Sequence, residues 1–193
     1  INTSIDDSKP VYELSDADEK LVKYLANHNH WTPFGHCFAQ FRIKAPIFVA
    51  RQMVKHQIGL VWNEESRRYI DSEPEFYIPE DWRSRPKGSI KQGSGEAIEG
   101  SAFINKKVMA LTAKALECYG DLLELGTAPE QARMVLPLNT MTEWIWSGSL
   151  AAWARVCNLR LDSHAQKETS EVAQQISDHM EHLFPASWKA LKQ

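Results

Sequence analysis

The helix-type and strand-type segments of this chain follow one another in no regular order, and this irregularity constrains the fold more than any other feature. Ser15, followed by acidic residues, predicts a helix start, and residues 37–43 then alternate apolar and polar side chains like a strand with one buried face. Pro46 suits the first turn of a second helix, which runs into a charged segment. Without a repeated strand–helix–strand alternation, we expect the α+β class, with mixed helices and a small antiparallel-rich sheet in one compact domain spanning residues 1–193.

The second half of the chain is more strongly patterned. Its predicted elements are a helix over 101–125 stopped by Gly126, a short helix starting near Thr127, a strand over 138–146 broken by Gly148, a helix over 149–159, and a last helix capped by Ser163 and Gln166. Residues 71–100 lie between the two patterned halves and contain three prolines and four glycines, so they predict a long loop. Such a segment is commonly a lid or flap, and disorder is the alternative.

The segment from Arg51 to Tyr69, RQMVKHQIGLVWNEESRRY, concentrates cationic groups beside carboxylates, amides and a hydroxyl. These donors suit a phosphate joined to a polar heterocycle. The whole chain carries a net charge of −3, which disfavours a general nucleic-acid binder and favours a small anion. Neither a dinucleotide-binding GxGxxG nor a P-loop is present, so side chains would have to hold any nucleotide.

Other reactive residues have plainer explanations. Three separated cysteines, Cys37, Cys118 and Cys157, indicate buried reduced thiols in a cytosol. The histidines at 28, 30, 36, 179 and 182 match no standard metal spacing, so polar surface is the preferred interpretation and no metal is expected. No apolar run is long enough for a membrane span, and no signal peptide is visible. These features predict a cytoplasmic protein, or one in the host cytoplasm if the chain is viral.

Two single arginines and one serine leave alternatives open. Arg133 and Arg160 each lie among aliphatic residues, where an arginine forms either a structural ion pair or part of an anion site. Together with the Arg51–Tyr69 segment they favour a converging anion site. Ser66 could be a nucleophile with His56 as its base, but a serine among arginines is more often a hydrogen-bond donor to phosphate.

Four separated motifs carry a resemblance to a known family. RQMVKHQIGLVWNEESRRY, with HNHWTPFGH upstream and ARMVLPLN and NLRLDSHAQ downstream, resembles the flavin-dependent thymidylate synthases, and KAPIFVARQ agrees as well. The similarity covers roughly residues 20–190. It implies synthesis of dTMP from dUMP by a homotetramer with sites between subunits, with methylenetetrahydrofolate as carbon donor, FAD as hydride carrier and NADPH as reductant.

The resemblance also implies roles for individual residues. Arg160 would stabilise an anionic uracil ring, and no enzyme nucleophile would be needed. The residues implied for dUMP are Gln52, Glu64, Glu65, Ser66, Arg67, Arg68, Arg133 and Arg160. The residues implied for FAD are Thr32, Lys55, His56, Gln57, Ile58, Glu64 and His164, with His30 nearby.

The chain departs from the family pattern at several positions. The usual RHR, seven residues and a serine is here Lys55, His56, Gln57 and eight residues before Ser66, so one residue is inserted and two arginines are replaced. Gly35 stands where glutamate is common. Ser149, Ala151 and Arg155 stand where asparagine, arginine and asparagine are typical, and Ser149 or Arg155 would have to substitute as a contact to FAD.

These departures leave two rival functions. One is a relative that hydroxymethylates dUMP, because the altered KHQ segment lies where flavin and folate would meet. The other is a nucleotide-binding homologue without catalysis.

Overall fold

The computed structural model describes residues 14–70, 72–86 and 93–192. The helices are α1 (Asp16–Asn27), α2 (Thr32–Gly35), α3 (Ile47–Met53), α4 (Ser101–Glu124), α5 (Pro129–Ala132), α6 (Leu150–Arg160), α7 (Lys167–Leu183) and α8 (Pro185–Leu191). The strands are β1 (Phe38–Pro46), β2 (Leu60–Glu64) and β3 (Met141–Ser149). They form one sheet in the order β1-β3-β2, so β3 is the central strand. The chain therefore has the expected fold, mixed helices with a small antiparallel sheet.

Local sequence signals determine where several of these elements begin. Ser15 is the N-cap of α1, and its hydroxyl accepts from the backbone N–H of Asp18 at 3.3 Å. The Asp18 carboxylate accepts from the Ser15 backbone N–H at 3.1 Å, which completes a capping box. The Ser15 hydroxyl also donates to Asp18 Oδ2 at 2.7 Å, and this bond first, followed by that from the Ser15 backbone N–H, lowers the pKa of Asp18. The helix start that the sequence predicts at Ser15 is confirmed.

Contacts between Cα atoms divide the chain into two compact units. Among the described residues, the first unit contains 14–43, 55–63 and 145–192. Its core centres on Trp153 of α6, whose ring meets Phe41 and Trp146 edge to face, each with centroids 4.9 Å apart. The Trp153 indole N–H donates to the Gly148 carbonyl at 3.0 Å, so the ring is oriented as well as buried. Helices α7 and α8 pack against α6 in this unit.

The described part of the second unit consists of residues 44–54, 64–70, 72–86 and 93–144. Helix α3 buries Val49, Ala50 and Met53 in this unit. The part of the predicted flap that the structure describes is fastened to α4, because the Trp82 indole N–H donates to Asn105 Oδ1 at 2.7 Å. Residues 83 and 97 form an antiparallel bridge, while residues 87–92 of the flap lie outside the described residues.

Several sequence expectations are corrected by the structure. Strand β3 continues through Gly148 instead of breaking there. Gly148 has no Cβ, and the Gly59 carbonyl and the Leu60 side chain occupy the space that a Cβ would need. Helix α7 starts after Gln166 without a side-chain cap, so Ser163 does not cap it. Strand β2 and helix α8 carry too few patterned residues to be predicted. Cys118 is exposed and Cys37 partly exposed, so the expectation of burial holds only for Cys157.

Candidate functional site

The residues implied for the nucleotide, except Arg160, lie in the second unit, most of them where β2 ends. Glu64 is the last residue of β2, and its Oε1 accepts from the Thr142 hydroxyl at 2.8 Å. The Glu65 backbone N–H donates to the Glu143 carbonyl at 2.9 Å. Because both glutamates are hydrogen-bonded to β3, the start of the loop that follows them is fixed in position.

That loop, residues 66–68, assembles cationic donors around one hydroxyl. Arg68 Nε donates to Ser66 Oγ at 3.1 Å, and the Arg68 backbone N–H lies 3.4 Å from the same oxygen. Arg67 donates from Nη1 to the Ser72 carbonyl at 2.9 Å, which leaves its other N–H groups for a ligand. The Arg68 guanidinium lies 5.2 Å from the centroid of the Tyr69 ring. Because Ser66 Oγ accepts from Arg68, its hydroxyl proton can be donated to an anionic ligand.

Two further residues of this group lie on other elements of the same unit. Gln52 is on α3 and is partly exposed, and Arg133 begins a short 3-10 helix after α5. Arg133 Nε donates to the Glu130 carbonyl at 3.3 Å, a neutral partner, and its side chain is exposed. Arg133 is therefore not fixed in a structural ion pair through this contact.

In the first unit, Arg160 and His56 meet although 104 residues separate them in the chain. Arg160 Nε donates to His56 Nε2 at 2.9 Å, and both side chains are half-buried. Burial lowers the pKa of the Arg160 guanidinium, which nevertheless stays charged at any physiological pH. Burial first, and then the positive charges of Arg160 and Arg155, lower the pKa of His56. His56 is therefore a neutral acceptor for a charged donor.

The turn between His56 and β2 is fixed from α6. Arg155 Nη2 donates to the carbonyl of Ile58. The next residue, Gly59, has φ of 74°, a left-handed conformation that glycine adopts without strain. Ser149, the N-cap of α6, accepts from the Ala152 backbone N–H at 3.3 Å and is buried. Arg155 and Ser149 thus both have structural roles near the segment implied for FAD.

The other residues implied for FAD in this unit are exposed. Thr32 begins α2, and His30 stacks on Tyr24 with ring centroids 6.3 Å apart. His164 Nδ1 donates to Asp162 Oδ1 at 2.9 Å, and the His164 backbone N–H donates to the same oxygen at 2.8 Å. These two hydrogen bonds, the backbone one first, lower the pKa of Asp162. The second ring nitrogen of His164 remains for a ligand.

The chemistry of these donors is compatible with a phosphorylated flavin. Lys55, Gln57 and His164 offer exposed N–H groups for phosphate oxygens, and Ile58 is an apolar side chain with 76% of its surface exposed. Trp31, 67% exposed, adds an aromatic face, and its ring lies over Gly35, where a Cβ would come within 3.0 Å of it. The glycine at position 35 therefore makes room for the Trp31 ring.

A pair of tryptophan rings lies near His56, and the sequence analysis did not predict it. Trp146 is fully buried, with its ring centroid 6.5 Å from that of His56 and 5.3 Å from that of Trp62. Alternating tryptophans at positions 144 and 146 are the signal that could have revealed it, since side chains two residues apart lie on the same face of a strand. Among the described residues, no group of three or more His, Cys, Asp or Glu side chains could hold a metal ion. No helix in the described ranges is long and apolar enough to cross a membrane.

A mixed α+β fold with this cationic loop and these flavin-compatible donors agrees with the class of protein described as thymidylate synthase complementing protein, whose family model matches residues 2–186. A flavin-dependent thymidylate synthase of Thermosipho africanus is 37% identical over 178 residues, which cover 90% of this chain and 76% of the relative. A Thermus thermophilus enzyme of the same name is 40% identical over 180 residues, covering 91% of this chain and 64% of the relative. The chain therefore belongs to the flavin-dependent thymidylate synthases, a family of enzymes.

A solved structure extends this similarity to the fold. PolB from Streptomyces cacaoi, a UMP/dUMP methylase bound with 5-Br dUMP, superimposes with a TM-score of 0.82 at 29% sequence identity. The superposition covers 92% of this chain and 81% of PolB.

Proposed function

We propose that this protein methylates dUMP to dTMP, with methylenetetrahydrofolate as carbon donor, FAD as hydride carrier and NADPH as reductant. Family membership and the similarity to PolB support methylation of dUMP. The observation that carries the assignment is the partner of Arg160, a half-buried guanidinium that donates to a neutral imidazole. Because this contact leaves the positive charge uncompensated, Arg160 can stabilise an anion that forms in a ligand.

The proposed chemistry needs such a charge. Carbon 5 of uracil is a weak nucleophile until electron density moves into the ring, and a guanidinium at the ring edge stabilises the anionic form. Bound FAD supplies the hydride that completes the methyl group. The protein's own task is to hold and orient the two ring systems and to exclude water. An enzyme nucleophile is not required, in keeping with Cys157, whose pKa burial raises to about 12.

The remaining dUMP contacts follow from the donor types. Ser66, Arg67, Arg68 and Arg133 would bind the phosphate through charge-assisted hydrogen bonds. Gln52, Glu64 and Glu65 would select the polar edges of the nucleoside, since amides and carboxylates can pair with its N–H and hydroxyl groups.

FAD would be held by the residues that the structure leaves exposed in the first unit. These are His30, Thr32, Lys55, Gln57, Ile58 and His164, together with His56. Ser149 and Arg155 would contribute mainly by fixing the α6 terminus and the Ile58 carbonyl, because both already make these contacts. Glu64 would contact both ligands at the end of β2.

We also propose that the enzyme works as a cytoplasmic homotetramer. Helix α4 is 24 residues long and buries only Thr112 and Tyr119 in the single chain. Phe103 and Leu111, about two turns apart on one side of this helix, are each more than half exposed. An apolar helix surface of this length suits burial against other copies of the chain.

The Arg160→Lys variant tests the assignment. Lysine keeps the charge but loses the planar fork and the Nε–H, so we expect turnover to fall by about 10²–10³-fold and dUMP binding to weaken. Arg85→Lys, at an exposed position outside the helices and strands, is the matched control and should retain activity. Formation of dTMP at a normal rate by Arg160→Lys would refute the role given to Arg160.

A second candidate substrate is UMP, because the similar PolB structure is that of a UMP/dUMP methylase. The ratio of kcat/KM for dUMP and UMP decides between a thymidylate synthase and an enzyme that accepts both nucleotides. The same assay addresses the other rivals. A hydroxymethyl product without NADPH consumption would indicate the hydroxymethylating relative. Purified protein without flavin, or with flavin that NADPH and dUMP cannot bleach, would indicate a non-catalytic homologue.

A further inference from the structure

We infer that His56 is a positioning residue for Arg160, holding its guanidinium through the unprotonated Nε2 so that the terminal N–H groups point to the nucleotide. The inference rests on the proposed function for the identity of that nucleotide. The contact itself is independent of it, because Arg160 Nε lies 2.9 Å from His56 Nε2 in the protein alone.

The hydrogen-bond chemistry fixes the protonation state of His56. A guanidinium can only donate, so Nε2 must accept and the imidazole must carry its proton on Nδ1. The bond uses the Nε–H of Arg160 and leaves four N–H donors on the two terminal nitrogens. Because the guanidinium is planar, fixing Nε–H also fixes the plane in which those four donors lie.

The surroundings of His56 favour the neutral ring. Arg160 and Arg155, both on α6, face it with positive charge, and Trp146 of β3 faces it with an uncharged buried ring. Protonation would place a third positive charge beside two others and would replace the acceptor with a donor. The Arg160 contact would then become a repulsion, and the guanidinium would lose its fixed orientation.

The two ring nitrogens of His56 have different partners in this proposal. Nε2 is committed to Arg160, whereas the Nδ1–H can donate to FAD. His56 therefore connects the flavin segment, Lys55–Ile58, to the residue proposed to act on uracil. Its protonation would couple the two sites to pH.

Two substitutions distinguish the role of His56 as a hydrogen-bond acceptor from the effect of its positive charge when protonated. His56→Gln places an uncharged amide oxygen near the position of Nε2 and cannot be protonated, whereas His56→Leu removes the acceptor. The measurement is the dUMP dissociation constant of the FAD-loaded protein across the range from roughly pH 5.5 to pH 8.5, by calorimetry. Because the dUMP phosphate itself titrates with a pKa of about 6, each affinity is expressed relative to His56→Gln at the same pH, which cancels the phosphate contribution.

We expect wild type and His56→Gln to bind dUMP with similar affinity at pH 8, and His56→Leu to bind about 10- to 100-fold more weakly, as for loss of a hydrogen bond to a charged group. As the pH falls through the lowered pKa of His56, the wild-type affinity should fall relative to His56→Gln, because protonation removes the acceptor. Full affinity in His56→Leu, or a ratio of wild type to His56→Gln that stays constant while ¹⁵N NMR shows His56 becoming protonated, would overturn the positioning role.

A second readout does not depend on dUMP. In ¹⁵N-histidine NMR spectra of the holoenzyme, we expect His56 to be the Nδ1–H tautomer, with a pKa that rises in Arg160→Leu. The Nε2–H tautomer, or a titration that Arg160→Leu leaves unchanged, would contradict the contact. If the wild type fails to bind dUMP at pH 8, the proposed function is wrong, and the NMR result alone then decides whether His56 orients Arg160.

Discussion

Gly148, in the central strand β3, provides the most stringent test of the packing beneath the flavin segment. A Cβ added to Gly148 would lie 3.0 Å from the Gly59 carbonyl oxygen and 3.2 Å from Leu60 Cγ. The Leu60 side chain can change rotamer, but the carbonyl cannot retreat easily, because it accepts the Ser149 backbone N–H at 3.2 Å. Gly148→Ala must therefore either push β2 away from β3 or distort this hydrogen bond.

The expected loss in the free energy of unfolding depends on how far the Gly59 carbonyl and Leu60 have to move. Overpacking of a tight site by one methyl group costs about 1–3 kcal/mol. The reduced entropy of the unfolded chain returns about 0.4–1 kcal/mol for a glycine-to-alanine change. We expect a net loss of about 1–2 kcal/mol in Gly148→Ala, which corresponds to a fall in Tm of about 2–8 °C for a domain of this size.

Gly120→Ala is the matched control. Gly120 lies inside α4, and a Cβ there would meet nothing within 4 Å, so the same substitution should stabilise the protein by about 0.5–1 kcal/mol through helix propensity. Urea unfolding of the wild type and both variants, at one fixed protein concentration, measures the difference. Because β2 starts where the Lys55–Ile58 segment ends, Gly148→Ala should also release flavin more readily, seen as lower flavin absorbance after dialysis. Equal stability shifts of the same sign in the two variants would refute the packing argument.

Two further predictions concern single side chains. Ser149→Ala removes the N-cap of α6 and leaves the Ala152 N–H unpaired, so we expect a loss of about 1 kcal/mol in urea unfolding, with Ser149→Thr retaining most of the stability. An unchanged midpoint in Ser149→Ala would show that the cap is dispensable. In the native protein, a thiol reagent should modify partly exposed Cys37, whereas Cys118, seven residues from Leu111 on the α4 surface proposed to face other copies, should react readily only in the dissociated chain. Cys157, buried and with its pKa raised to about 12, should react only after unfolding, and rapid native labelling of three thiols would contradict the described burial.

Local chemistry explains which parts of the fold were predictable. The capping box at Ser15 and the glycine at 126 act within a few residues of chain, and both are where the sequence placed them. Gly148 was misinterpreted as a strand break because its role depends on Gly59 and Leu60, which are remote in the chain. Strand β2, with only five residues, offers too short a pattern to recognise.

The candidate site shows the same limit more strongly. Each of its cationic residues could be named from the sequence, because charge in an otherwise acidic chain is visible there. Their partners could not be named. Whether Arg160 is a structural ion pair or an available charge depends on the group that accepts its Nε–H, and that group, His56, is 104 residues away. The residue types were enough to name the candidate site residues. The tertiary contacts were needed to see which group each of them binds.

The extra residue that the resemblance implies before Ser66 falls in the stretch that begins with the Ile58–Gly59 turn, and this turn is bound from α6. Gly59 adopts a left-handed conformation, and the Ile58 carbonyl before it is bound by Arg155. The asparagine that the resemblance implies at position 155 has too short a side chain to reach as far as arginine does. We interpret Arg155 as compensating for the longer turn, because its guanidinium fixes the point at which the turn leaves the flavin segment. On this interpretation the extra residue and Arg155 act together, and loss of the Arg155 guanidinium should free the turn that follows Lys55 and His56.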